Sequence, residues 1–453
     1  MDAKVSALSG IEPIERETIR RVAWRLIPLL MLGYFCSFLD RSNVGMAAPT
    51  MMPDLGFSNA VFGFGSGLFF FGYCMCEIPS NLALNRFGAR RWLARIMVTW
   101  GIVSGLTAFV VPIGRMTGLG NEYTFYLLRI LLGFAEAGFF PGIIFYLTLW
   151  FPGVYRGLVV GQFMAAVPIS SIIGAPVSGA VLGLDGFAGL AGWQWLFIIE
   201  AVPSLVLAVV VYFYLTDYPS EATWLADDER TWLDGRLKAE RAQREAAHNI
   251  SVWEAIFHLR VWALSIVYFG AVAGLYGVQF WLPQIVKAFG LSNFGTGLVV
   301  ALPYIAGAVA MVLYGRWSDR GQQRATHTGI ALAIMAAGIA AATLTGNPFL
   351  TMVAFTVGSC GVFMALPVTW TLPTAVLSGT SAAAGIAVIN SVGNLAGFVG
   401  PFAMGWIKDA TGSFTGGLLL IAAIGVVAMV IVLVLGHDRR LERLPGAAQQ
   451  ENA

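Results

Sequence analysis

Long apolar runs alternate with short polar connections along the chain, from residue 24 almost to its end. Most runs reach about 20 residues, the length that an α-helix needs to cross the ~30 Å hydrocarbon core of a bilayer. Gly or Pro interrupts many of them, which membrane helices tolerate when neighbouring helices cover the freed backbone groups. The pattern therefore predicts an all-α membrane protein with twelve transmembrane helices. The predicted helices cover residues 24–46, 61–84, 92–112, 123–149, 157–183, 193–215, 262–286, 296–315, 327–345, 349–372, 382–407 and 416–436.

The longest polar stretch, residues 216–260, follows the sixth predicted helix and contains a predicted helix over 226–247. It divides the chain into two bundles of six helices, the organisation of transporters built from parallel repeats. We expect five segments. They are an N-terminal segment (1–23), an N-terminal bundle (24–215), a central loop (216–260), a C-terminal bundle (261–436) and a tail (437–453).

Positive charge is distributed unevenly between the two sides of the predicted bundle. Outside the helices, nearly all Lys and Arg residues fall in segments that share a side with the N-terminus; the exceptions are Arg115, Lys287 and Lys408. Because cytoplasmic loops carry the excess of Lys and Arg, both termini and the central loop are predicted to be cytoplasmic. Residues 11–25 are too charged for a cleavable signal peptide.

Composition excludes several classes of protein. Only 11% of the residues are charged and 57% are hydrophobic, whereas a soluble domain has about 25% charged residues. The net charge of +2 and the lack of a basic patch argue against a nucleic-acid partner. No metal-ligand spacing, nucleotide loop or nucleophile–base constellation is visible, so we expect neither an enzyme nor a cofactor or metal site.

Four ionisable residues interrupt the apolar runs: Asp40 and Arg41 in the first, Arg129 and Glu136 in the fourth. A charge at the bilayer centre costs about 2.5–3.5 kcal/mol on insertion scales, and such residues mark paths for ions or substrates. Arg129 and Glu136 lie two helical turns apart and share one face. One acid and one base in each helix can carry a proton and hold an anion, so the pattern indicates a transporter.

Several motifs resemble a known family. The loops at 85–91 and 315–324 are similar to the cytoplasmic loop signature of the major facilitator superfamily, with Asn85 where the first copy usually has an acid. The segments FLDRSNVG (38–45), YCMCEIPSN (73–81), RILLGFAEAGFFPG (129–142) and WQWLFIIEAVPS (193–204) resemble its anion:cation symporter branch, which includes tartrate, phthalate, hexuronate and galactonate transporters. The resemblance covers essentially the whole chain. It implies gating roles for the loop residues Arg86, Arg90, Asp319 and Arg320.

The resemblance also implies that Asp40 and Glu136 share proton coupling, and that Arg41 and Arg129 serve substrate or gating. The residues themselves leave other roles open. Asp40 could hold Arg129 in place, and Arg129 and Glu136 could form a static pair. Glu77 and Glu200, two further acids in apolar runs, are expected to be structural.

Neutral residues supply the remaining expected contacts with the substrate. Amides and hydroxyls could bind the hydroxyl groups of a hydroxy acid or sugar acid, and the resemblance supports three of the residues concerned: Tyr73, Trp370 and Asn390. Tyr276 and Gln279, in the seventh predicted helix, are candidates from their polarity alone. Charge chemistry is thus expected in the N-terminal half and neutral recognition in the C-terminal half.

The sequence predicts a monomeric, multi-pass protein of the bacterial inner membrane that imports a small organic anion together with protons. Tartrate or a sugar acid is the favoured substrate, and an aromatic carboxylate of the phthalate kind is the first alternative. Proton-coupled export of drugs or cations is a second, although Arg41 and Arg129 do not suit an acidic pocket for cations. A membrane sensor that binds ligand without moving it is the third.

Overall fold

The structure is a computed structural model that describes residues 13–246, 257–321, 323–372 and 379–436. These residues form an all-helical bundle. Its α-helices are α1 (Pro13–Leu55), α2 (Asn59–Phe87), α3 (Ala89–Leu106), α4 (Val110–Thr117), α5 (Gly120–Glu136), α6 (Phe139–Trp150), α7 (Gly153–Met164), α8 (Ala166–Val181), α9 (Gly192–Tyr214), α10 (Asp227–Ala246), α11 (Leu259–Lys287), α12 (Asn293–Gly321), α13 (Arg324–Ala341), α14 (Pro348–Thr369), α15 (Gly379–Asn394), α16 (Ala396–Thr411) and α17 (Thr415–Leu435).

Twelve spans in the described residues are long and apolar enough to cross a membrane, which confirms the predicted number. Eight spans are single helices. Four consist of two successive helices: α3 with α4, α5 with α6, α7 with α8, and α15 with α16. The spans are called first to twelfth below. The predicted central-loop helix over 226–247 is observed as α10, and the tail lies outside the described residues.

The first span is much longer than predicted. Its helix has 43 residues and is therefore about 65 Å long at 1.5 Å per residue, twice the thickness of the hydrocarbon core. The N-terminal part of this helix packs on the central loop and on the start of the fifth span. Arg21 Nη1 donates to Glu229 at 2.7 Å, and the Tyr155 hydroxyl donates to Glu15 at 3.0 Å. The predicted N-terminal segment is thus, from Pro13 onward, a continuation of the first span.

The fourth span is broken where the sequence predicted a continuous helix. α5 ends at Glu136, and α6 begins at Phe139 after Gly138. Gly138 has φ +84°, a backbone conformation that is open to Gly and strained for other residues. The break places the carboxylate of Glu136 at the C-terminal end of a helix, in the interior of the bundle.

The two halves pack closely at the face remote from Pro13 and Leu435. Their contacts run through glycines of the second, fifth, eighth and eleventh spans. Gly63 lies against the backbone of Pro401, Gly405 against Asn59, and Gly297 against Ala175. Because small residues let helix backbones approach closely, these contacts close the bundle at that face, which is called the closed face below.

Gly133 lies between Arg129 and Glu136 in the fourth span and lets that span approach the second span closely. A Cβ at this position would overlap the backbone oxygen of Phe69. We predict that Gly133→Ala lowers the free energy of unfolding by about 1–3 kcal/mol, the usual range for overpacking. Thermal unfolding of purified protein in detergent measures the effect. Gly157→Ala is the matched control, because no atom lies within 4 Å of the added Cβ. Equal unfolding midpoints for both variants would contradict the prediction.

Candidate functional site

A narrow cavity of about 50 Å³ lies between the two halves. A buried water needs about 10–15 Å³, so the cavity has room for a few waters. Residues of both halves form its wall, and five of the predicted substrate-binding residues are among them. These five are Arg41, Tyr73, Tyr276, Trp370 and Asn390. The structure therefore brings together residues that lie up to 349 positions apart in the sequence.

Arg41 forms an ion pair with Glu136 beside this cavity. Its Nε donates to Glu136 Oε1 at 2.7 Å, and Nη2 approaches the same oxygen at 2.6 Å without the geometry of a second hydrogen bond. The hydroxyl of Ser37 also donates to Oε1, at 2.6 Å. Glu136 Oε2 has no hydrogen-bond partner among the described residues. One carboxylate oxygen thus carries all the contacts, and the other is free to take a proton.

Arg41 also links the two halves. Its Nη1 donates to the hydroxyl of Tyr276, in the seventh span, at 3.2 Å. The guanidinium group lies 5.1–5.3 Å from the ring centres of Phe38, Phe69 and Tyr73, within the range of cation–π attraction. A single side chain therefore contacts the cavity, the buried acid and the opposite half.

Asp40 faces away from its neighbour Arg41, into the interior of the N-terminal half. It is fully buried, and its oxygens accept hydrogen bonds from Ser104 at 2.6 Å, Ser204 at 3.3 Å and Asn43 at 3.3 Å. Adjacent residues on a helix point about 100° apart. Asp40 and Arg41, although adjacent in the sequence, therefore belong to two separate sites.

Arg129 is buried but lies away from the wall of the cavity. Its nearest hydrogen-bond acceptor is the carbonyl of Ser66 at 3.5 Å, and its Nε and Nη1 have no partner among the described residues. Its guanidinium group lies 5.3 Å from the ring centre of Phe69. In this conformation the carboxylate of Glu136 pairs with Arg41, although Arg129 shares its helix.

Asn390 is held by an acid from the opposite half. Its Nδ2 donates to Glu77 Oε1 at 2.6 Å, and the hydroxyl of Ser391 donates to Oε2 at 3.4 Å. Glu77 thus orients a residue of the cavity wall. The signal in the sequence was its charge within an apolar run. Gln279, by contrast, is buried outside the cavity wall, and neither of its amide atoms has a described partner.

The predicted gating residues of the first loop contact their own half and the start of the central loop. The backbone N–H of Arg90 donates to Asp217 at 2.8 Å, and its guanidinium group lies 5.7 Å from the ring centre of Tyr212. The guanidinium group of Arg86 lies 5.6 Å from the ring centre of Phe87. Asp319 and Arg320 lie at the end of α12, and their side chains are outside the described residues.

An acid that sequence reasoning did not single out joins the halves at the closed face. Asp409, in α16, accepts hydrogen bonds from Asn59 N at 3.1 Å, Asn59 Nδ2 at 2.7 Å and Ala60 N at 2.7 Å. It therefore caps the N-terminus of α2 in the other half. Carboxylates are stabilised there by the free N–H groups and the helix dipole.

The chain is similar to membrane transporters along nearly its whole length. The Major Facilitator Superfamily matches residues 30–401. A protein of Agrobacterium vitis named "Putative tartrate transporter" is 51% identical over 425 residues, which are 94% of this chain and 92% of the relative. A "Quinolone resistance transporter" of Acinetobacter baumannii is 37% identical over 422 residues, which are 93% of this chain and 95% of the relative.

Among solved structures, the partially occluded inward open conformation of the xylose transporter XylE from E. coli has the same fold. It aligns with a TM-score of 0.74 over 92% of this chain and 100% of that one, at 16% sequence identity.

The cap at the closed face yields a testable prediction. Asp409→Ala removes three hydrogen bonds between the halves, and we expect it to favour opening of this face at least tenfold, equivalent to ~1.4 kcal/mol. Spin labels on Thr117→Cys and Ser413→Cys, two exposed positions at that face, measure the distance between the halves after the native cysteines are replaced. The distribution should shift to longer distances.

Asp54→Ala is the matched control. Asp54 accepts a hydrogen bond at 2.8 Å from Trp193, which belongs to the same half, so its loss should leave the distance distribution unchanged. Identical distributions for Asp409→Ala and the unsubstituted protein would show that the cap does not hold the face closed.

Proposed function

The chain belongs to the major facilitator superfamily, a family of membrane transporters, and on this premise we propose that it is a proton-coupled symporter of a small organic anion. One observation carries the proposal: Arg41 lies on the wall of the cavity and is paired with the buried carboxylate of Glu136. The same guanidinium group can hold either that acid or a substrate carboxylate. The membrane concerned is the bacterial inner membrane, and import is the direction of transport.

The chemistry of the cavity wall favours a hydroxylated carboxylate. A guanidinium group offers a planar fork of donors that suits a carboxylate. The hydroxyls of Tyr73 and Tyr276 and the amide of Asn390 lie on the same wall and can bind hydroxyl groups of the ligand. Tartrate has both kinds of group, and the name of the Agrobacterium vitis relative points to the same substrate.

Competition for Arg41 couples the substrate to a proton. A substrate carboxylate that binds Arg41 draws it away from Glu136, which leaves a buried carboxylate without its cation. Such a group is strongly destabilised in its charged form and takes up a proton instead. Release of the substrate returns Arg41 to Glu136 and expels the proton.

The membrane potential favours the uptake of more than one proton. Moving one charge across 100 mV changes the free energy by about 2.3 kcal/mol, so a monoanion that enters alone works against a potential that is negative inside. Entry with two protons reverses the sign for a monoanion such as a sugar acid, and it makes the entry of doubly charged tartrate electroneutral. Asp40, which is also buried, is the second candidate for a proton.

Alternating access follows from the packing of the two halves. With the termini in the cytoplasm, as the Lys and Arg distribution indicates, the closed face is the periplasmic one. The halves then rock about the site, and Asp409 and the glycines of the closed face separate when the site opens to the outside. The proton-loaded, substrate-bound transporter closes this face again, and release of the substrate to the cytoplasm restores the ion pair of Arg41 and Glu136 described above.

A second candidate substrate is an aromatic carboxylate. Tyr34, Phe38, Tyr268 and Trp370 also line the cavity, and flat rings can stack on them. The Acinetobacter baumannii relative is named for resistance to quinolones, which are aromatic carboxylates. A thermal-shift series that compares tartrate, galactonate and phthalate on purified protein separates the two classes. A cationic drug should give no shift, because Arg41 repels it.

We predict that Arg41→Lys weakens binding of the stabilising carboxylate about tenfold or more, because Lys keeps the charge and loses the fork. Equilibrium binding of the labelled acid to purified protein gives the dissociation constant. Arg115→Lys makes the same change at an exposed position and should leave the dissociation constant unaltered. Unchanged affinity in Arg41→Lys would remove Arg41 from the binding site.

We predict that Glu136→Gln abolishes accumulation driven by a proton gradient and retains exchange of labelled for unlabelled substrate. The amide keeps the shape of the side chain and cannot take up a proton. Both activities are measured in proteoliposomes, with an imposed inward proton gradient for the first and preloaded substrate for the second. Glu122→Gln, an exposed position in the same span, is the control. Wild-type accumulation in Glu136→Gln would exclude this residue from coupling.

A further inference from the structure

A second polar cluster lies inside the N-terminal half, on the side of the first span that faces away from the cavity. Its centre consists of Asp40 and Asn43, one turn apart in the first span, and Glu200 in the sixth. All three side chains are buried, with at most 2% of their surface exposed. Of the three, Asp40 alone has a role in the proposed function, as the second candidate for a proton.

Three serine hydroxyls donate to the two carboxylates. Ser104 and Ser204 donate to the two oxygens of Asp40, at 2.6 and 3.3 Å, and Ser178 donates to Glu200 Oε1 at 2.6 Å. These serines come from the third, sixth and fifth spans. Four spans therefore converge on a site that offers hydroxyl donors to acids.

Two acceptors in the cluster lack a donor. Glu200 Oε2 and Asn43 Oδ1 are buried and have no hydrogen-bond partner among the described residues. The amide of Asn43 donates to Asp40 at 3.3 Å and also lies close enough to Glu200 to interact with it. Buried polar atoms without partners are rare and indicate a missing group. A proton on Glu200 Oε2 would supply one, since it turns one of the cluster's unpartnered acceptors into a donor.

The charges in the cluster lead to the same conclusion. Two buried carboxylates without a cation repel each other and are poorly solvated. Within the described residues, the titratable groups that act on Glu200 are Asp40 and Cys36, both in the first span. Arg129 acts on Asp40, but in the part of the chain that the structure describes no Lys or Arg forms an ion pair with either acid. A bound proton removes the repulsion.

We propose that Glu200 binds a proton and, together with Asp40 and Asn43, forms a second proton site of the transport cycle. The proposal rests on the proposed proton-coupled function and adds a residue to it. Asp40, Arg41 and Asn43 lie within one turn of the same helix. The two proton sites and the substrate site therefore meet at one turn of the first span. Glu200 takes its proton from water on the side from which the substrate enters and gives it to water on the other side, in the direction that symport requires.

Infrared spectroscopy of the purified, ligand-free protein tests the site without any substrate. A protonated carboxyl group has a C=O stretching band that carboxylates and amides lack. The wild-type minus Glu200→Gln difference spectrum at neutral pH should contain such a band, and the band should disappear as the pH is raised. Its absence, or its persistence up to the pH of unfolding, would overturn the proposal.

Further variants show which acid gives the band. Ser178→Ala keeps the acid and removes its donor, so it should shift the band without abolishing it. Glu136→Gln should leave the band unchanged, because Glu136 is ion-paired with Arg41. Loss of the band on addition of Na⁺ at constant ionic strength would show that the site around Glu200 binds a metal cation. That result would contradict the proposed proton on Glu200. If the protein shows proton-driven uptake but lacks the band, the proposed proton-coupled function stands. Only the assignment of a proton to Glu200 is then wrong.

Discussion

The buried guanidinium group of Arg41 is the feature on which the rest of the site depends. It neutralises Glu136, donates to Tyr276 in the other half and borders the cavity. Removing one partner from a buried ion pair costs several kcal/mol, because the remaining charge is left uncompensated. Any ligand that occupies Arg41 therefore alters both the charge of Glu136 and a contact between the halves. Substrate, proton and conformation can be coupled through one side chain.

The two halves contribute different chemistry to the interface. In the described residues, the acids buried within the spans are Asp40, Glu77, Glu136 and Glu200, all in the N-terminal half. The C-terminal half contributes hydroxyl, amide and indole groups to the cavity. Glu77 connects the two, since it fixes Asn390 across the interface. The acids of the N-terminal half contact the C-terminal half through neutral donors. They can therefore gain or lose a proton while the cavity-lining residues of the C-terminal half keep their arrangement.

The sequence predicted the number of spans and the buried charges, because both are local properties. Apolar length marks a span, and a charge is expensive wherever it interrupts one. The partners of those charges depend on tertiary packing. The spacing of Arg129 and Glu136 put them on one helix face, yet Arg41 from another span holds the acid. Asp409 escaped notice because, in the sequence, an acid near the end of a helix looks the same whether it faces solvent or another helix.

The helix boundaries show the same limit. Glycines are frequent in membrane helices, so nothing in the sequence singles out Gly138 as a break. The spans interrupted at Ala165 and Leu395 were likewise expected to be continuous. A continuous apolar run establishes that a segment crosses the bilayer. It does not establish whether the segment crosses as one continuous helix or as two successive helices.

The break after Glu136 has an electrostatic consequence of its own. The final carbonyl groups of a helix carry a partial negative charge, and an anion in the last turn is disfavoured by about 0.3–1 kcal/mol, more when it is buried. Glu136 is the last residue of α5, so its own backbone works against its ionised form. The ionised carboxylate of Glu136 therefore relies on a cation from another helix, the guanidinium group of Arg41.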